Sequence, residues 1–171
     1  MAISINTSPL RGPVCYHPFR LQPGILYLLG DDRRLLCATF ATEREEREIL
    51  LRYRERVSGG IAPALAFLES YFSKKSSKAP ELDLSAYTEG EVRIYHELQK
   101  VPFGRTVTYG GLAERAGVKN GARFAGNTMA KNSFPIFIPC HRVIKSGGII
   151  GNYTGGVHIK EFLLRHEGAL K

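Results

Sequence analysis

The residues with the sharpest chemical content are Cys140 and His141. They stand in Pro139-Cys140-His141-Arg142-Val143, between the apolar stretches Ile136-Phe137-Ile138 and Val143-Ile144. Zinc sites favour a Cys-x-x-Cys or His-x3-His rhythm, and here only a loose set with Cys15, His17 and Cys37 could join in, so no metal is expected. Two readings of Cys140 remain: a small buried hydrophobe, or a nucleophile. A free thiol with a pKa of about 8.5 is only slightly ionised at neutral pH, so a nucleophile needs a base, and the base needs an orienting carboxylate. His141 is the candidate base. Neighbours along an extended segment point apart, so a water would have to link them. Glu167 is the candidate carboxylate. Its helix carries Ile159, Phe162, Leu163 and His166 at core-facing spacing. A carboxylate at the C-terminal end of a helix opposes the macrodipole, which a specific partner would explain.

Two further segments have unusual composition. Gly147-Gly148-Ile149-Ile150-Gly151-Asn152-Tyr153-Thr154-Gly155-Gly156 is rich in glycine but lacks the Gly-Lys-Ser/Thr ending of a nucleotide-phosphate loop. Its glycines would let the backbone wrap a flat ligand closely. The segment Gly121-Ala122-Arg123-Phe124-Ala125-Gly126 reads as the start of a helix of small residues around one arginine. Small residues there either pack against a neighbouring helix or admit a nucleic acid close to the backbone.

The charge supports the second option. The chain has 171 residues and a net charge of +8. Residues 1–100 carry 14 basic and 13 acidic side chains, whereas residues 101–171 carry 10 and 3. The basic part therefore holds nearly all the excess, which favours a polyanionic partner, nucleic acid being the commonest. A solubilising surface is the plainer explanation of the same count. Three cysteines are too few for a disulfide scaffold and fit a reducing compartment. No apolar run reaches a bilayer-spanning length. Met1–Asn6 lacks the features of a signal peptide, so the sequons at Asn6 and Asn152 carry little weight.

The elements that must position these residues can be read in turn. Short apolar runs at 14–16, 25–29 and 35–40, separated by Pro23-Gly24 and Gly30-Asp31-Asp32, predict an antiparallel meander. Thr42 with Glu45 forms a capping box and opens a helix with Glu43/Arg47 and Glu48/Arg52 pairs. A second helix covers Pro63 to Phe72. The polar stretch 73–80 reads as a linker near which a domain boundary falls. Thr88 with Glu91 opens a third helix, with Val92, Tyr95, His96 and Leu98-Gln99 at helical spacing, stopping before Pro102. Thr108 caps a short helix that ends at Gly117, and after the turn Val118–Gly121 a second runs from Ala122 to Lys131. The two suggest a helix-turn-helix.

Pro139-Cys140-His141-Arg142-Val143 resembles the active-site signature of the methylated-DNA–protein-cysteine methyltransferases. The resemblance runs from Phe103-Gly104 through Glu167-Gly168. It includes the Tyr109 segment, Ala122-Arg123, Gly126-Asn127, Asn132, Gly151 to Gly156 and Lys160-Glu161. It implies an α/β protein of two domains. An N-terminal ribonuclease-H-like domain with linker (1–85) precedes a mostly helical, winged-helix-like domain with a helix-turn-helix (86–171).

The implied activity is DNA repair by direct reversal. The alkyl group of O(6)-alkylguanine, or of O(4)-alkylthymine, passes irreversibly to Cys140 without cofactor. The implied partner is double-stranded DNA carrying alkylated guanine, with no membrane and no obligate protein partner. The implied state is a monomer in the cytoplasm, or in the nucleus if eukaryotic.

The roles carry over by position. His141, held by Glu167, deprotonates Cys140, and Asn132 fixes the turn leading to it. Tyr109 hydrogen-bonds or protonates the leaving guanine and helps extrude the nucleotide. Arg123 fills the vacated stack, and Ala122 and Gly126 let their helix approach the minor groove, where bases are poorly discriminated. The Val143 carbonyl, Tyr153 and Thr154 line the guanine pocket, and Lys160 supports the cysteine. The family usually has Pro directly after the position of Asn132. Here Ser133 and Phe134 precede Pro135, which would soften or bulk the pocket wall. A non-reactive relative replaces the cysteine, so the presence of Cys140 favours reaction; a lesion sensor without chemistry is the alternative and a Cys-His hydrolase a third reading.

Overall fold

The computed structural model describes residues 13–75 and 77–171. The sequon at Asn6 lies outside the described residues. The chain is a mixed α/β protein that divides into two compact units, the first ending at Ala86 and the second running Tyr87–Lys171.

The first unit is built on β1 (Cys15–Leu21), β2 (Gly24–Gly30) and β3 (Leu35–Phe40), joined as the expected antiparallel meander. A two-residue strand, β4 (Arg54–Glu55), adds parallel to β1 and gives the order β3-β2-β1-β4. So short a strand has no periodicity of its own and leaves no mark in the sequence. Helix α1 (Glu43–Arg52) starts at the Thr42/Glu45 capping box, both halves of which are formed. Its Glu48 pairs with Arg44 at 3.6 Å, where the sequence suggested Arg52. Helix α2 (Ala62–Phe72) carries its proline in the first turn, where the missing N–H costs nothing. Tyr16, Tyr27, Leu29, Cys37 and Ile49 form one buried cluster between the sheet and α1.

The second unit begins with α3 (Glu89–Gln99), opened by the Thr88/Glu91 capping box. Its buried face is Glu91, Ile94, Tyr95 and Leu98. Val92 is only part-buried and His96 is exposed, which corrects the stripe read from the sequence. Two-residue strands β5 (Val107–Thr108) and β6 (Val143–Ile144) pair in parallel. This pairing was also absent from the sequence reading. It ties the entry of α4 (Tyr109–Arg115) to the exit of the Cys140 segment.

Helix α4 is capped by the Thr108 hydroxyl, which accepts the Gly111 N–H at 3.1 Å. It ends in a Schellman turn. Gly117 sits at φ +75°, its N–H reaches the Glu114 carbonyl, and the Val118 N–H reaches Ala113. Helix α5 (Ala122–Ala130) follows, completing the expected helix-turn-helix. The last helix, α6 (Val157–His166), buries Ile159, Lys160, Leu163 and Leu164. Among the described residues no helix is long and apolar enough to cross a membrane.

Gly60 allows the loop after β4 to lie against the main chain of Arg34, where an added Cβ would overlap backbone that cannot swing aside. Gly60→Ala should therefore cost about 1–3 kcal/mol of stability, read as a lowered urea midpoint at unchanged slope. An unchanged midpoint would mean that this contact is slack.

Candidate active site

Cys140 is placed by a series of tight backbone devices. Asn132 follows the C-cap of α5, and its Oδ1 accepts the Phe134 N–H at 2.9 Å. The chain then passes through Ile136 at φ +75°, a strained conformation for a β-branched residue. The Ile138 N–H bonds the Phe134 carbonyl at 2.8 Å and holds that turn closed. Pro139, at φ −79° and ψ 62°, centres an inverse γ-turn in which the Cys140 N–H reaches the Ile138 carbonyl at 2.7 Å. Cys140–Arg142 then forms one turn of 3₁₀ helix. The segment is thus not the extended one read from the sequence, and the proline's fixed φ is what bends it.

The sulfur receives the Asn132 amide at 3.0 Å, and the same Nδ2 also donates to the Ile138 carbonyl at 3.0 Å. Burial pushes the Cys140 thiol above its ordinary pKa. Hydrogen bonds from Asn132 and with Tyr153, together with the nearby Lys160 ammonium, pull it back down. Lys160 is fully buried and donates from Nζ to the Val143 carbonyl at 2.6 Å.

His141 is fully buried, and its Nε2–H donates to Glu167 Oε1 at 2.8 Å. Burial lowers its pKa below the ordinary value, against the raising effect of Glu167. At neutral pH the imidazole is therefore uncharged. With the Nε2 proton given to the carboxylate, its basic lone pair lies on Nδ1.

Glu167 occupies the C-cap of α6, where the dipole disfavours it. Besides His141, two partners compensate. The Arg142 guanidinium grips both oxygens, with Nε to Oε2 at 2.9 Å and Nη2 to Oε1 at 2.9 Å, and the Gly104 N–H donates at 3.1 Å. Arg142 also reaches the Val101 carbonyl at 2.7 Å. Neither Arg142 nor Gly104 is among the site residues expected from the sequence. The signal was present, since a carboxylate in so poor a place calls for a cation and Arg142 directly follows the histidine.

Cys140 opens into a cavity of about 780 Å³. One wall is Tyr109, Gly110, Ala122, Gly126, Met129 and Ala130 of α4 and α5; the other is Lys145, Ser146, Ile149, Asn152, Tyr153 and Thr154 of the glycine-rich loop.

The second unit matches the family described as 6-O-methylguanine DNA methyltransferase, DNA binding domain, over residues 89–169. The methylated-DNA–protein-cysteine methyltransferase of Shigella flexneri is 35% identical over 159 residues, which is 86% of this chain and 91% of that protein. The chain belongs to the methylated-DNA–protein-cysteine methyltransferase family. The human member is 38% identical over 122 residues, 66% of this chain, and the chain spans 59% of that protein's length. A crystal structure of the Mycobacterium tuberculosis O6-methylguanine methyltransferase superposes with a TM-score of 0.76 at 28% identity, covering 92% of this chain and 94% of that one. The OGT of the same organism, solved in complex with DNA, gives 0.76 at 29% identity, with 90% and 92% covered.

Of the residues singled out from the sequence, Tyr109, Ala122, Gly126, Cys140, Tyr153 and Thr154 face the cavity. Asn132 bonds the sulfur, Lys160 lies near enough to act on it electrostatically, and His141 is bonded to Glu167. Arg123 is exposed on α5 beside Ala122. Val143 is fully buried, and its carbonyl accepts from Lys160. The expected effect of Phe134 on the pocket wall is not seen: its side chain is buried in the core at 1% exposure. The two readings of the small residues of α5 separate. A methyl on Gly121 would meet Val118 at 2.5 Å, so Gly121 is small for packing. One on Gly126 would meet only the Tyr109 ring, at 3.9 Å, so packing does not explain that glycine.

Burial lowers the Lys160 pKa to about 8. Below that pH both folded and unfolded chains hold the proton, and folding bears the full cost of burying a cation. From about 8 up to the ordinary 10.5 only the unfolded chain holds it, so the contribution of this group to stability rises with pH. The stability margin of Lys160→Met over the parent should therefore shrink between pH 8 and 10 in urea titrations. A margin independent of pH would contradict the assignment.

Proposed function

We propose that this chain repairs DNA by taking the alkyl group from O(6)-alkylguanine, and from O(4)-alkylthymine, onto Cys140 in a single irreversible step. The observation that carries the proposal is the sulfur itself. It sits in the wall of a cavity large enough for a base and receives the Asn132 amide, and the next residue is a buried neutral His141 bonded to Glu167. The substrate is double-stranded DNA carrying the lesion, and one copy of the chain holds every residue the reaction uses, which fits a monomer.

His141 takes the thiol proton through a water as Sγ attacks the alkyl carbon in line. The S–C bond forms, the C–O(6) bond breaks, and its electron pair leaves on guanine. Burial, and after it the nearby Cys140, raises the Tyr109 phenol above its ordinary pKa and keeps it protonated, so it can donate to the leaving guanine. The proton gained by His141 leaves with the base, which is thereby restored. The product is a thioether, whose S–C bond water does not attack, so the thiol is not regenerated.

The nucleotide must leave the stack to reach Cys140, at a cost of a few kcal/mol that is smaller for a weakly paired base. Arg123, which is exposed next to Ala122, fills the gap. Helix α5 lies in the minor groove with Ala122 and Gly126 against the backbone. That suits a protein that must find damage in any sequence.

Incubation with alkylated duplex should add one alkyl group per chain, found on the Cys140 peptide by mass spectrometry, and Cys140→Ser should bind the duplex and acquire nothing. Loss of no lesion by the parent chain would sink the proposal and leave a lesion sensor. Repeated turnover on an ester would favour a hydrolase. Gly126→Ala separates packing from approach: stability should hold or rise by up to about 1 kcal/mol, as alanine replaces glycine within a helix, while duplex affinity falls. Equal affinity would place α5 away from the DNA.

A further inference from the structure

Tyr87 is outside the cavity, yet its phenol touches the two peptide groups that bracket Asn132. The hydroxyl donates to the Lys131 carbonyl at 3.2 Å and accepts the Ser133 N–H at 3.1 Å. Its ring meets Tyr95 edge-on, with centroids 5.0 Å apart. Tyr95 in turn donates to the Thr128 carbonyl at 2.8 Å, one turn earlier in α5. Lys131 is held from the other side by Glu91 of α3 at 2.6 Å. The main chain is therefore fixed immediately before and after Asn132.

The Asn132 side chain has one orientation compatible with its neighbours. The Phe134 N–H must meet the carbonyl oxygen, so the NH₂ faces Ile138 and the sulfur. A donor on sulfur favours thiolate over thiol. Its effect depends on aim, because hydrogen bonds weaken steeply as they bend.

We infer that Tyr87 is a positioning residue for Cys140, aiming the Asn132 amide at the sulfur by gripping the main chain on both sides of it. The Ser133 hydroxyl competes for the same Lys131 carbonyl but at 3.4 Å, and it offers nothing to the Ser133 N–H. It cannot replace the phenol. The inference deepens the proposed alkyl transfer and rests on that reading only for its consequence in repair.

The test is the pH dependence of Cys140 alkylation by iodoacetamide, followed on the Cys140 peptide by mass spectrometry, in the parent, Tyr87→Phe and Ser133→Ala. Tyr87→Phe keeps the ring on Tyr95 and removes both hydrogen bonds. Its profile should move to higher pH by about half a unit to one unit, and its rate at pH 7 should fall about three- to tenfold, as expected for one charge-assisted hydrogen bond. Affinity for undamaged duplex should equal the parent's, which a general loosening of the fold would not leave intact. Ser133→Ala keeps the N–H and should follow the parent. If Tyr87→Phe melts early, the profile is taken well below its melting temperature, where only folded chain reacts. An unshifted Tyr87→Phe profile, or a Ser133→Ala profile shifted as far, overturns the inference. A parent chain that shows the Tyr87 dependence but accepts no alkyl group from damaged DNA overturns the proposed repair reaction and leaves the positioning role standing.

Discussion

The site depends on one buried carboxylate. Glu167 is the C-cap of α6, with Gly168 at φ +74° directly after it, and the Schellman bonds from Gly168 to Arg165 and from Ala169 to Leu164 fix where that cap falls. From this fixed point the carboxylate reaches His141, Arg142 and the Gly104 N–H, and so ties three separate parts of the second unit together. An added Cβ on Gly104 would stand 2.8 Å from the Glu167 carbonyl, so the backbones also meet closely. Such an arrangement is a poor way to gain stability, because desolvating the ions consumes most of the Coulomb gain. What it gives is orientation. A buried imidazole with Nε2 committed to a carboxylate has one tautomer, and its basic nitrogen has one direction.

Around that anchor the protein works against its own thiol. Burial raises the Cys140 pKa, while Asn132, Tyr153 and Lys160 lower it. Lys160 is itself an unfavourable resident, a cation with no exposed surface and a pKa brought down to about 8. Ile136 adds backbone strain midway between Asn132 and the Cys140 sulfur it bonds. Strain of this kind persists only where surrounding contacts over-determine the conformation. Here these are the Asn132 hydrogen bonds, the Phe134–Ile138 turn and the buried ring of Phe134. The departure at Ser133 belongs to the same frame, since its N–H is a donor that Tyr87 uses.

What could be read in the sequence was local or anomalous. The capping boxes at Thr42 and Thr88 involve residues three apart, and both are formed as written. Glu167 stood out because its place was electrostatically wrong, and the structure supplies the partners that such a place demands. Pairings with no local signal were not legible. Strands β4, β5 and β6 are two residues each, and their register is set by segments far along the chain. The choice of Glu48 between Arg44 and Arg52 is made by rotamers on an exposed helix, where either pair has a similar small energy. The bend at Cys140 needed the γ-turn at Pro139, and Tyr87 needed the fold that brings it to Ser133 across an interval the sequence does not mark.

The same contrast bears on why a reactive group is buried this deeply. A catalyst that must turn over needs a path for product to leave and a nucleophile ready again. A thiol used once needs neither. If Cys140 reacts a single time, a raised resting pKa is no handicap. On the proposed reaction the thiol would stay protonated and shielded from stray electrophiles until a base filled the cavity, excluded water and strengthened every dipole aimed at the sulfur. On the same proposal the neutral His141 would carry one proton from the thiol to the departing guanine, once. Rigidity that would slow an enzyme's cycle would then become the means of selecting one reaction partner for one event. The buried lysine, the strained isoleucine and the carboxylate at the wrong end of its helix are tolerable in that setting because each fixes a geometry that has to work only once.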